Sequence, residues 1–195
     1  MKKGLDVRSL TGVGILTAIV IVLQLVGMFF LRFGTFSLSF VLVPIVVGAA
    51  LYGVWAGAWL GLVFGVVVLL SGDAAPFLAV NAPGTIATVI VKGVAAGVGA
   101  ALVYRLVAKK QPFVAVLLAA IVCPVLNTGV FLIGCVLFFM ETIKGWAAGA
   151  GFENAGAYMI LGLAGINFLI ELGVNILLSP TIVQIIRIAK SRRRA

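Results

Sequence analysis

The chain has 195 residues, of which 64% are hydrophobic and 10% charged, with 14 Lys and Arg against 5 Asp and Glu and no His. Such an apolar composition excludes an ordinary soluble domain, and the lack of His removes most transition-metal sites, histidine-based triads and histidine proton relays together. A net charge of +9 would point to nucleic acid in a soluble chain, but here the basic residues stand at the ends of long apolar runs, where they act as topological signals facing anionic lipid, so no nucleic-acid partner is expected.

A hydrocarbon core of about 30 Å is crossed by about 20 helical residues, because each adds about 1.5 Å of rise. The sequence predicts six such spans, Ser9 to Phe30, Phe36 to Leu51, Val54 to Leu70, Pro83 to Tyr104, Phe113 to Met140 and Tyr158 to Ile186. The expected fold is therefore an all-α integral membrane bundle of six transmembrane helices, a single membrane domain over residues 1–195. Threading six helices from an inside N-terminus puts Lys2, Lys3, Arg8, Arg105, Lys109, Lys110, Arg187, Lys190, Arg192, Arg193 and Arg194 on one side. Arg32 and Lys144 fall outside and Lys92 lies within a span. Both termini are expected to be cytoplasmic.

The first span is longer than the core of most signal peptides and has no small-residue cleavage site after it, so it is expected to remain as a helix. It carries a small-xxx-small pair, Gly14 and Ala18, near its inner end. The outer loop that follows, LRFGTFSLS, mixes Arg32 with Phe33 and Phe36, a combination suited either to anchoring in headgroups or to closing over a ligand. The second span is short and is expected to be tilted or covered by neighbours. In the third, Gly53, Gly57, Gly61 and Gly65 recur every four residues, which predicts a groove where another helix backbone approaches. Gly93 and Gly97, with Ala96 and Ala100, give the fourth span a similar face. Tyr52, Trp55 and Tyr104 fit interfacial aromatic belts.

Between the third and fourth spans, SGDAAPFLAVNAPGT holds Asp73, Asn81 and two prolines. Backbone this irregular cannot face lipid, so it lies at the surface or folds over a cavity. On the fifth span Cys123 and Cys135 are about 18 Å apart by helical rise, too far for a disulfide. Residues Glu141 to Asn154 form a second polar, Gly-rich outer loop.

Charges inside a membrane are expensive, about 2.5–3.5 kcal/mol each even on insertion scales, and so mark function. Lys92 is placed about 12 Å below the outer end of its span and Glu171 about 20 Å below that of the last. Asn167, Glu171 and Asn175 share one side of the last helix, and Asn127 and Thr128, beside Pro124, reach a similar depth. Two readings are open. One is a structural Lys-to-Glu clamp cross-linked by asparagines; the other is a lining for a small polar solute, since so many amide groups gather on the outward half. A buried Lys among amides favours an anionic or carboxylate-bearing solute. The carboxylates Asp6, Asp73, Glu141, Glu153 and Glu171 form no acid/base pair in sequence, and no phosphate-binding loop is present. No catalytic residue, cofactor or metal site is expected.

Six helices with both termini inside, the small pair low on the first, the loop after it, the hairpin PIVVGAALYGVWAGAWLGLVFG and the run TVIVKGVAAGVGAALVYR together resemble the substrate-binding S component of energy-coupling factor transporters. The resemblance spans nearly the whole chain. It implies a small membrane protein that captures a vitamin or related micronutrient at the cell membrane of a bacterial-type cell, then works with a transmembrane coupling protein and two cytoplasmic ATPases. It implies further that Gly14 and Ala18 contact the coupling protein, with Gly where the family usually has Ala, that the loop from Arg32 to Ser39, Phe36 included, gates the pocket, and that Asn81, Thr85, Lys92, Asn127, Asn167 and Glu171, at the outer ends of the fourth to sixth helices, line it. Nothing matches the His-bearing N-terminus of the nickel and cobalt members. The alternatives are a self-sufficient secondary transporter, for which no internal repeat is seen, a scaffold whose glycine faces bind other helices, and an intramembrane enzyme.

Overall fold

The structure is a computed structural model that describes residues 7–30, 32–33, 36–37 and 40–191. It is a helical bundle in chain order: α1 (Val7–Phe30), a two-residue ladder of β1 (Arg32–Phe33) and β2 (Phe36–Ser37), α2 (Leu42–Tyr52), α3 (Val54–Ser71), α4 (Ala75–Val80), α5 (Ala82–Val107), α6 (Pro112–Phe138), α7 (Met140–Gly149), α8 (Ala155–Ala157), a π-helical segment (Tyr158–Gly165) and α9 (Ile166–Ser191). Among the described residues five helices are long and apolar enough to cross a membrane: α1, α3, α5, α6 and the continuous run from α8 through α9.

The second predicted span differs. Its helix starts at Leu42 rather than Phe36, because residues 36–37 pair antiparallel with 32–33 instead. Eleven residues remain, about 16 Å of helix, short of a bilayer core. Eight of the eleven are buried. A helix that is apolar all round belongs inside a bundle, and α2 packs against α1, α3, α5, α6 and α9.

The centre of the bundle is α5, flanked by α3 and α6. Lipid offers no hydrophobic incentive for helices to associate, so close backbone approach has to supply dispersion contacts. Glycine permits it. A Cβ on Gly57 would run into the carbonyl of Gly97, one on Gly61 into that of Gly93, and one on Gly65 would stand 2.9 Å from the carbonyl of Val89. Gly53 does not share this seam. With φ of 86° it is the single residue that turns α2 into α3.

The connections after α3 and after α6 are more ordered than their composition suggests. Gly72, left-handed at φ 93°, ends α3. Asn81 then caps α5, its Oδ1 accepting the Gly84 N–H at 3.0 Å, with Pro83 in the first turn where no amide donor is needed. The second Gly-rich loop contains α7, along which Lys144 and Glu141 form an exposed ion pair at 2.7 Å. Cys123 and Cys135 are free and buried.

Candidate functional site

A cavity of about 180 Å³ is lined by residues of α1, α3, α5, α6, α9, the π-helical segment and the connection between α3 and α5. Each helix contributes by its own periodicity. Thr85, Thr88, Val89 and Lys92 line it from α5, at spacings that place them on one helix face. Asn127, Thr128 and Phe131 come from α6, Asn167 and Glu171 from α9, Leu163 and Ala164 from the π-helical segment, Phe64 and Val68 from α3, and Gln24 from α1. The connection between α3 and α5 supplies Asp73, Ala74 and Phe77, so this segment does fold over a cavity.

Lys92 and Glu171 face the same cavity without meeting. Among the described residues, no carboxylate lies within ion-pair distance of the Lys92 ammonium. Its Nζ sits instead 5.5 Å from the Phe64 ring centre and 5.4 Å from that of Phe131, close enough for cation–π attraction. Glu171 is 3% exposed, and its Oε2 has no hydrogen-bond partner. The same holds for Oε1 of Gln24, Oγ1 of Thr88 and Oδ1 of Asn127 and Asn167. Native interiors leave few such groups, since each forfeits about 1–3 kcal/mol of solvation. Five of them stand around this one cavity.

The aromatic side is better satisfied. Phe77 stands edge-on to Phe131, Phe139 and Trp146, with ring centres 5.1–5.6 Å apart. This cluster ties α4, α6 and α7 together at one side of the cavity, whose lining includes Phe77, Phe131 and Phe139. Across from it, Gln24 Nε2 donates to Asp73 Oδ2, joining α1 to the turn after α3.

Of the residues singled out from sequence, Thr85, Lys92, Asn127, Asn167 and Glu171 share the cavity lining. Asn81 is not in the lining and serves as the cap of α5. The backbones of Arg32 and Phe36 form the short ladder; their side chains lie outside the described residues. The polar stripe on the last helix divides. Asn175 turns away from the cavity, its Nδ2 donating to the Glu171 carbonyl at 2.8 Å, and Ser179 repeats the pattern toward Asn175 at 2.9 Å. Gln24 and Thr88 escaped the sequence reading. An isolated amide midway along an otherwise apolar first span was the available signal for Gln24, and the i, i+4 relation to Lys92 was the one for Thr88. Nothing in sequence separates Phe64, Phe77 and Phe131 from other apolar residues.

Gly14 and Ala18 lie far from this chemistry. Both are exposed, and a Cβ on Gly14 would meet no atom within 4 Å. Around them Leu10, Ile15, Ile19 and Val22 are 40–58% exposed. Beside them, Trp59 on α3 donates its indole N–H to Thr17 on α1 at 3.1 Å, and Trp55 stacks on Trp59.

A family profile described as "ECF transporter, substrate-specific component" matches residues 8–183. Compared with curated proteins and with solved structures, the chain has no significant match.

Proposed function

The chain belongs to the family of ECF transporter substrate-specific components, and we propose that within it this protein is the high-affinity capture subunit for a vitamin or related micronutrient, holding its solute in the cavity between α5, α6 and α9. It is a multi-pass membrane protein of a transporter family rather than an enzyme family. In this reading both termini face the cytoplasm, the membrane is the plasma membrane of a bacterial-type cell, and the cavity opens outward. Arg32 and Phe36 belong to the connection that closes over it. A membrane coupling protein and two ATPases supply the energy, and Gly14 with Ala18 forms part of the face presented to the coupling protein.

The observation that carries the proposal is the set of buried, unpartnered oxygens on Gln24, Thr88, Asn127, Asn167 and Glu171 around one cavity. A solute that pairs with them recovers desolvation already spent in folding, which is how a small pocket reaches high affinity. The scaffold alternative loses support because the glycine faces of α3 and α5 are consumed against each other. A Lys-to-Glu clamp is disfavoured by the separation of the two charges and by the seating of Lys92 on two phenyl rings.

The test is to purify the protein in detergent without added solute, identify any small molecule that accompanies it by mass spectrometry, and titrate vitamins calorimetrically. Nanomolar, one-to-one binding is expected. Glu171→Gln and Lys92→Met should each weaken it by at least tenfold while expression and monodispersity persist. Misfolded variants whose surviving fraction binds normally would instead support the clamp.

A further inference from the structure

We infer, resting on the capture reading above, that the cavity takes a compact, single-ring amphoteric solute, with an anionic or strongly polarised oxygen directed to Lys92 and an N–H or O–H donor directed to Glu171.

Charge is the first argument. Taken alone, Lys92 among amides calls for an anion, but two carboxylates line the same cavity, Asp73, which accepts from the Gln24 amide, and Glu171, which is 3% exposed. A simple anion neutralises Lys92 while adding its own charge beside a buried carboxyl group. A simple cation has the converse fault. A solute carrying both an acceptor and a donor satisfies both walls, and in a low-dielectric site the complementary placement discriminates strongly against molecules carrying one group only. No ion pair joins the two protein groups: the Lys92 ammonium lies over the Phe64 and Phe131 rings, and Glu171 Oε2 is unpartnered.

Size is the second. An apolar cavity of about 150 Å³ accommodates benzene, so about 180 Å³ suits one six-membered ring with small substituents. Fused three-ring systems, pteridine conjugates and corrinoids are far larger. The third argument is shape. The Phe64 and Phe131 rings stand beside the ammonium, and Phe77 lies edge-on to Phe131. Flat apolar walls flanking a charge favour a planar body with polar groups on its rim.

The experiment compares isosteres on the purified wild-type protein, depleted of solute by extensive washing. The probes are 4-aminobenzoate and pyridoxine, each carrying donor and acceptor on one ring, benzoate and aniline, each carrying one, and riboflavin as the oversized control. Binding is read by calorimetry and by thermal shift, and any co-purified solute is weighed by native mass spectrometry. At least one amphoteric probe is expected to bind tenfold or more tightly than both benzoate and aniline, with riboflavin not binding. In Glu171→Leu, which removes the acceptor oxygens, the advantage of 4-aminobenzoate over benzoate should vanish, and in Lys92→Met its advantage over aniline. Equal binding of benzoate, tight binding of riboflavin, or a co-purified solute of other chemistry overturns the inference and leaves the capture role standing. No saturable binding of any probe together with no co-purified solute overturns the capture role, and the inference with it.

Discussion

Asn127 shows how a single side chain can serve binding at the expense of stability. It is 5% exposed on α6, lines the cavity, and its Oδ1 has no partner. An orphaned buried carbonyl forfeits about 1–3 kcal/mol, and replacing it with an apolar group of similar volume restores part of that. Asn127→Leu is therefore expected to raise the melting temperature of the solute-free protein by a few degrees and to weaken solute binding by tenfold or more. Differential scanning fluorimetry and calorimetry on the same preparation would check both. A variant that melts lower and binds normally would mean that the amide is satisfied within the fold. Sequence revealed this residue because an amide deep in an apolar run is costly whatever its surroundings. It did not reveal Phe64 or Phe131, whose role depends on lying beside Lys92, a matter of helix order and rotation that periodicity cannot encode.

At the scale of the element, the α3–α5 seam is where four-residue spacing became contact. Gly57 and Gly61 meet the carbonyls of Gly97 and Gly93, and the reciprocal positions do the same. Any side chain there must push two backbones apart, and overpacking of this kind costs about 1–3 kcal/mol or more. Gly61→Leu should lower the melting temperature by several degrees and reduce monodisperse yield. Gly129→Leu on α6, where an added Cβ meets nothing within 4 Å, is the control and should change little. Equal melting temperatures for the two would show that the seam is not a determinant of stability. The glycine periodicity announced this contact, yet it also included Gly53, which a positive φ assigns to the turn before the helix. Spacing alone cannot tell a packing glycine from a hinge glycine. The start of α2 was obscured for a related reason, since FSLSFVL is apolar enough for a helix and its first residues instead complete a two-residue ladder. Likewise the π-helical turn before Asn167 has no signature beyond Gly162 and Gly165, residues that weaken a regular helix without naming the alternative.

Across the whole molecule, the unpaired polar groups gather inside and the outer face of α1 stays smooth. Along the α3–α5 seam small residues are spent on intramolecular contact, but Gly14 and Ala18 are exposed, with larger apolar residues around them. The face is also fixed in place, because α1 packs on α2 and α3 and Trp59 binds Thr17 between the two small residues. A rigid shallow groove of this kind admits a second helix backbone at close range. Since a Cβ on Gly14 meets nothing, enlarging it disturbs no internal packing, so stability and partner contact become separable. Gly14→Leu and Ala18→Leu should leave the melting temperature within about a degree and solute affinity within about twofold, in keeping with surface substitutions worth less than about 0.5 kcal/mol. Uptake in cells supplied with the coupling protein and ATPases should fall by at least tenfold, because a leucine side chain holds the incoming backbone several ångströms away and removes the dispersion contacts that membrane association depends on. Retained uptake in both variants would place the coupling face elsewhere. Loss of solute binding in either would mean that α1 communicates with the cavity, through Gln24 and its hydrogen bond to Asp73, two to three helical turns further along the same helix.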